Sequence, residues 1–316
     1  MQFLIRFYDL LIGTQLSNIK NHLLCVSLCF FALTPHVYAA ERAYQTKLTL
    51  PQQQDISLHV FLPTNTPKGV LIALHGCGGL LSTNTQNGDK LSSRHAGMAK
   101  FANDLDWIAV FPDSFTLRGR REICTQKFSE RTIKQSHRKM DALATANWVK
   151  AQNWLGDGQP PVTPSPLKSV LLGWSNGGTT VLQTIETPKT ETSVSSGYRV
   201  ENLIDQAVAF YPGCSQQLAR DYQTRVPLTL FIGGKDDWTP PQPCIALGER
   251  IGAQLFVYPE AHHGFDSPTG QVRLRRDVPN GVNPGEGVHA GPHPASRADA
   301  YDKLKTIFEQ LSYSIR

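Results

Sequence analysis

The sequence predicts an α/β fold, built on a central and mostly parallel sheet with helices on both faces. Three observations carry this expectation. Short apolar runs recur at 69–74, 107–111, 168–173, 207–211, 226–232 and 254–258. Helical stretches separate most of them, the alternation that lays parallel strands side by side. The runs are largely continuous rather than alternating in polarity, as befits strands covered on both faces.

In chain order, 47–50 and 56–61 alternate weakly around polar, proline-bearing sequence, which suits outer strands forming an antiparallel edge. The strand at 69–74 ends at His75-Gly76 and emerges into a glycine-rich turn. A helix over 91–105 leads to the strand at 107–111, which stops at Pro112-Asp113. A second helix over 134–154 places Met140, Leu143, Ala144, Trp148 and Ala151 at three- and four-residue spacing, an inner stripe. Glycines and prolines over 156–166 end it and lead into the strand at 168–173. A helix starts near Asn176, 187–197 reads as an inserted surface loop, and helices over 243–251 and 296–313 follow. Residues 267–294, with five glycines and five prolines in 28 residues, exceed the usual length of a connection and suit an active-site border or a mobile loop. Arg273, Arg275 and Arg276 within it could meet an anion, but a hydrated, salt-bridged loop is the preferred reading. No internal repeat is visible.

Composition excludes several classes. The 316 residues include 25 glycines and 21 prolines, with 40% hydrophobic and 18% charged residues, which argues against collagen, a coiled coil or a mostly disordered chain. The 31 basic side chains against 26 acidic ones leave +5, without a lysine-rich tail or an arginine-laced aromatic face, so nucleic acid is not an expected partner. Lys20 precedes an apolar run over 23–33, and Val37-Tyr38-Ala39-Ala40 offers small residues to a signal peptidase. Residues 1–40 therefore read as an export signal, cleaved near Ala39 or Ala40, with 41–316 as one domain that is periplasmic or secreted and not stably inserted in a membrane. Removing Arg6, Lys20 and Asp9 takes 31 and 26 to 29 basic and 25 acidic side chains, or +4. Cys77, Cys124, Cys214 and Cys244 remain, which in an oxidising compartment favours two disulfides over a metal site.

Four segments carry chemistry. Gly173-Trp174-Ser175-Asn176-Gly177-Gly178 follows an apolar strand and opens a helix, the G-x-S-x-G arrangement that exposes a serine on a sharp turn. Ser175 as a mere helix cap is the bland alternative. His75-Gly76-Cys77-Gly78-Gly79 follows the first central strand, and the backbone N–H groups of Cys77 and Asn176 form the expected oxyanion-stabilising pair. His75 itself suits a structural hydrogen bond better than a base. Gly233-Gly234-Lys235-Asp236-Asp237-Trp238 follows another strand and offers Asp236 as the acid, with Asp237 as the alternative. Ala261-His262-His263-Gly264 follows the last strand and offers His263 as the base, with His262 as the alternative. The order serine, aspartate, histidine fits a hydrolase triad. Adjacent histidines also suggest a metal, but neither a matching carboxylate nor a spaced histidine completes a set, and no cofactor or metal is expected.

Together these segments resemble the dienelactone hydrolase family of α/β-hydrolases, over most of the chain after about Leu58. The resemblance implies a nucleophile at Ser175, an acid at Asp236, a base at His263 and an oxyanion loop containing Cys77. It places Asp113-Ser114-Phe115 and Arg118-Gly119-Arg120 at the border of the substrate cleft. Similarity to exported relatives implies pairing of Cys77 with Cys124 and of Cys214 with Cys244. The dienelactone-cleaving members carry cysteine where Ser175 stands, so a more general ester hydrolase is expected. Its substrate would be a small-molecule or polymer-derived carboxylic ester, cleaved through an acyl-enzyme. An amide or peptide hydrolase, or a noncatalytic binding protein that retains the fold, are the alternatives. The oligomeric state is left open.

Overall fold

Strand β3 (Gly69–Leu74) is buried at every residue, and its apolar side chains leave alternately toward two separate cores. Val70, Ile72 and Leu74 join one core, Leu71 and Ala73 the other. That is the physical meaning of its continuous apolar run. The computed structural model describes residues 42–50, 55–154, 166–187 and 199–313, which fall within one compact unit. The expected export signal with Cys25 and Cys29, most of the connector over 156–166 and nearly all of the inserted loop over 187–197 lie outside the described residues.

The sheet contains β1 (Arg42–Leu48), β2 (Ile56–Leu62), β3, β4 (Trp107–Asp113), β5 (Lys168–Trp174), β6 (Gln206–Phe210), β7 (Leu228–Gly233) and β8 (Gln254–Tyr258). Their spatial order is β1-β2-β4-β3-β5-β6-β7-β8. β1 and β2 pair antiparallel, β2 joins β4 antiparallel, and every other pairing is parallel. Helices α1 (Ser93–Asp104) and α6 (Pro294–Tyr313) cover one face, where Met98, Ala102, Leu304 and Phe308 pack with Leu71 and Trp107. Helices α2 (Gln135–Lys150), α3 (Asn176–Ile185) and α5 (Pro241–Ile251) cover the other, where Ala142, Val149, Val181, Leu182 and Leu247 meet Ile72 and Leu171. A four-residue α4 (Ser215–Leu218) lies between β6 and β7. Each fully buried leucine contributes about 1.5–3 kcal/mol by leaving water, and truncating Leu171 to alanine would cost about 2–5 kcal/mol. Among the described residues no helix is long and apolar enough to cross a membrane.

Two local expectations are corrected. The first edge strand runs over Arg42–Leu48 rather than 47–50, in register from Arg42 opposite Leu62 to Leu48 opposite Ile56. It is largely exposed, so its position follows the ladder offered by β2 and not its own apolar pattern. Within 267–294, β9 (Arg273–Arg275) and β10 (Val288–Ala290) form an antiparallel ribbon. Three-residue strands are too short to show a period in sequence. Asn280 fastens the loop between them, accepting from Phe128 N–H at 3.2 Å and donating to the Gln126 carbonyl at 2.8 Å.

The carboxyl ends of β3, β5, β7 and β8 lead into the turns that carry Cys77, Ser175, Asp236 and His263. Open parallel sheets place binding crevices at this end of their strands.

Candidate active site

Ser175 lies between β5 and α3 at φ 52° and ψ −116°, a left-sided backbone conformation that costs a non-glycine residue strain. Its amide donates to the Phe210 carbonyl at 2.9 Å, and its carbonyl accepts from Thr179 N–H at 2.8 Å. The side chain makes no capping bond to α3, so the bland capping role fails. The flanking glycines are steric necessities: a Cβ on Gly177 would stand 2.1 Å from the Leu74 carbonyl oxygen, and one on Gly173 would stand 2.4 Å from that of Gly177. The turn closes this tightly because both positions lack side chains.

Asp236 is 4% exposed and sits just past β7. Its Oδ1 accepts from the backbone N–H groups of Trp238 and Thr239 at 2.9 and 2.8 Å. The Thr239 hydroxyl donates to its Oδ2 at 2.9 Å. That same Oδ2 lies 2.8 Å from Nδ1 of His263. An ionised carboxylate accepts this bond from Nδ1–H, which leaves Nε2 as the nitrogen able to take a proton. The imidazole is also 4% exposed and is flanked by Trp238 and Tyr211, each with its ring centroid 4.6 Å away. Tyr211 is held in turn by its hydroxyl, which donates to buried Asp266. Trp174 Nε1 donates to Asp266 at 2.7 Å, and Arg94 lies 3.1 Å from the same carboxylate. The residues beside the serine and around the histidine thus share one buried acidic anchor.

Ser175 and His263 line a single cleft of about 760 Å³, together with Gly76, Cys77, Trp238 and Arg273. Cys77 is bonded to Cys124, which ties the turn after β3 to the loop after β4; Cys214 is bonded to Cys244, which ties α4 to α5. The Ile123 amide donates to the Cys77 carbonyl at 2.8 Å, a second tie across the first of these loops. His75 is fully buried and structural. Its Nε2 accepts from Ser114 N–H at 3.2 Å, so Nδ1 carries the proton and donates to the Gly76 carbonyl at 2.8 Å. Burial, reinforced by the charge of Arg138, holds its pKa well below the ordinary range, which keeps it neutral.

The segments expected to border the cleft do not line it. Asp113 is buried and its Oδ1 accepts from the Phe115 and Thr116 amides at 2.9 and 3.0 Å. Arg118 turns inward to form a two-pronged bond with buried Asp141, at 2.6 and 2.7 Å. A charged loop in sequence is here a fastening to α2, because a buried carboxylate on that helix requires a partner. The cleft wall is formed instead by the 267–294 segment, including Arg273 and Arg275, and Arg275 also bonds Asp277 at 2.6 Å. Sequence reasoning also missed Arg138, Thr239, Tyr211 and Asp266. The one available signal was the polar series Arg138, Asp141 and Thr145 at helical spacing within α2, all three buried.

Asp237 and His262, the alternatives to Asp236 and His263, come together with His289 instead, within 4.8 Å in ligand atoms. The sequence reading had found no carboxylate or spaced histidine to complete such a set.

The sequence model of the dienelactone hydrolase family matches residues 164–312, a stretch that includes Ser175, Asp236 and His263 and begins after Cys77. The fold has solved counterparts. A dienelactone hydrolase from Anabaena variabilis aligns with a TM-score of 0.54 at 13% identity, over 86% of this chain and 99% of that one. The chain has an α/β-hydrolase fold related to the dienelactone hydrolase family. Esterase 2 of Thermogutta terrifontis with propionate bound aligns at 0.54 and 15% identity, over 84% of this chain and 93% of that one. A dienelactone hydrolase-like promiscuous phosphotriesterase from metagenomic libraries aligns at 0.53 and 15% identity, over 85% and 98%. No curated protein matches the chain.

Proposed function

We propose that the chain is a serine hydrolase that cleaves a carboxylic ester through an acyl-enzyme. The observation that carries this reading is the fixed pair of Asp236 and His263, 2.8 Å apart, whose histidine lines the same cleft as a serine held at positive φ. In this mechanism Ser175 Oγ attacks the ester carbonyl carbon while Nε2 of His263 takes its proton. The backbone N–H groups of Cys77 and Asn176 receive the negative charge that develops on the carbonyl oxygen. The carbon–oxygen bond then breaks, and the leaving alcohol takes the proton from His263. Water, deprotonated by the same nitrogen, attacks the acyl carbon and restores Ser175. Asp236 holds the imidazole in one tautomer and stabilises its protonated form.

That one structural relative is described as an esterase and another as a promiscuous phosphotriesterase supports the choice of an ester over an amide. We further propose export after cleavage near Ala39 or Ala40, to the periplasm or outside the cell, which the two disulfides support. The deciding experiment combines a panel of short acyl esters with a serine-directed organophosphonate. The expected result is turnover of at least one ester and labelling of one serine, both lost in Ser175→Ala. Full activity in that variant overturns the mechanism, and a folded chain that is neither labelled nor active but detectably binds a ligand favours a noncatalytic binding protein.

A further inference from the structure

We propose that Asp237, His262 and His289 form a binding site for a divalent transition-metal ion, with zinc(II) as the fitting representative. One ligand atom from each, a carboxylate oxygen and two imidazole nitrogens, lie within 4.8 Å of one another. None of the three lines the cleft, so the site is separate from the one occupied by substrate. Two imidazoles and one carboxylate form a donor set that zinc accepts, with bonds of about 2.0–2.2 Å and a fourth position left for water. A tetrahedral ion would space its donors by roughly 3.4 Å. The half-exposed side chain of His289 can supply that contraction by rotation.

Two features set the cluster apart from an ordinary surface ion pair. His262 enters it with Nδ1 buried and without a hydrogen-bond partner, a cost that an isolated His289–Asp237 pair does nothing to relieve. Its ring lies 5.4 Å from that of His289, two imidazoles in contact with no polar group bridging the buried nitrogen. Asp237 is already oriented toward this place. Its Oδ1 accepts from the His289 backbone amide at 2.8 Å, and its Oδ2 lies 2.7 Å from Nδ1 of His289. Carboxylate–imidazole contacts of this kind aim metal ligands.

The three ligands come from different segments: the turn after β7, the turn after β8, and β10. Each stands next to a residue of the cleft or its machinery. Asp237 follows Asp236, His262 precedes His263, and His289 precedes Ala290, which pairs with His263 in an isolated bridge. An ion here would fasten the acid-bearing and base-bearing turns to the cleft wall without touching substrate.

The test uses the full chain without a histidine tag, stripped of metal with a chelator, then titrated with zinc chloride by calorimetry and with cobalt(II) by visible absorption. The expected result is tight binding of one ion per chain at this site and a cobalt spectrum of low coordination number. A rise in melting temperature of about 5 °C is expected when zinc exceeds its dissociation constant a hundredfold. His289→Ala, at a half-exposed position, is expected to weaken binding at least roughly tenfold and to abolish the cobalt bands. His262→Gln is expected to do the same, while both variants keep the circular dichroism of the parent. Absence of stoichiometric zinc on the parent chain overturns the proposal. So does unchanged binding in His289→Ala, which would place the ion elsewhere and leave Asp237 and His289 as an ion pair only.

Discussion

Arg138 donates from Nη1 to the side-chain oxygen of Asn176 at 2.5 Å. Its Nη2 donates to the His75 carbonyl at 2.6 Å, so one guanidinium on α2 spans the two turns whose amides are proposed to meet the oxyanion. It is 1% exposed, and burial lowers its pKa to about 10, which leaves it charged at neutral pH. Arg138→Met removes both bonds and frees the spacing between Cys77 and Asn176. The expected outcome is a fall in kcat of roughly 100-fold with KM changed far less, because a shift of about 1 Å in these donors weakens transition-state contacts selectively. Arg138→Lys should recover part of the loss, since an ammonium can satisfy one acceptor but not the fork. A loss confined to stability, with kcat intact in the folded fraction, would make the arginine merely structural.

Asp236 offers the sharpest test of the proposed triad. Asp236→Asn preserves the size of the side chain and its acceptor for the Trp238 and Thr239 amides, but can present N–H to His263 and stabilise the wrong tautomer. Ester hydrolysis near neutral pH should fall by roughly 10³–10⁴-fold while the melting temperature moves little. Steady-state kinetics beside circular dichroism would separate this from unfolding, and a loss below tenfold would transfer the role to another carboxylate.

What could be read from the chain depended on how local its cause is. The run ending at Gly173, the glycines around Ser175 and the strand ends before Cys77, Asp236 and His263 each express a short-range rule, an apolar strand followed by a turn that only small residues close. The parallel sheet was legible for the same reason. Arg138 was not, because its meaning resides in His75 and Asn176, 63 and 38 residues away. Asp237 and His289 meet across 52 residues, and no spacing rule connects them. The family resemblance puts Arg118 at the cleft border, whereas the carboxylate that draws it inward is buried on a helix 23 residues further on.

The two disulfides should separate into different roles. Cys77–Cys124 closes 47 residue steps and holds the oxyanion turn, whereas Cys214–Cys244 closes 30 and joins α4 to α5. Replacing either pair with serines should lower stability by about 2–4 kcal/mol in urea unfolding. Only the loss of Cys77–Cys124 should also depress kcat, by loosening the amide aimed at the oxyanion. Equal kcat losses from both pairs would remove the special role assigned to the first.

His95 and His75 should make the fold acid-sensitive in a defined window. Burial, with the charge of Arg94 second, lowers the pKa of His95 from 6.5 to about 3, and its Nδ1–H donates to the Leu80 carbonyl at 2.8 Å. Burial, with Arg138 second, lowers that of His75 in the same direction. In the unfolded chain both imidazoles take up protons near their ordinary value, while in the folded chain they resist doing so. Below about pH 6.5 the unfolded state therefore binds more protons, and folding stability, complete above that pH, falls toward pH 3 at up to about 1.4 kcal/mol per pH unit for each histidine. Urea unfolding at stepped pH should trace this acid limb. His95→Gln, which keeps a donor for Leu80 but has no proton to gain, should lower stability at pH 8 yet make the limb shallower; an unchanged slope would mean that His95 does not drive it.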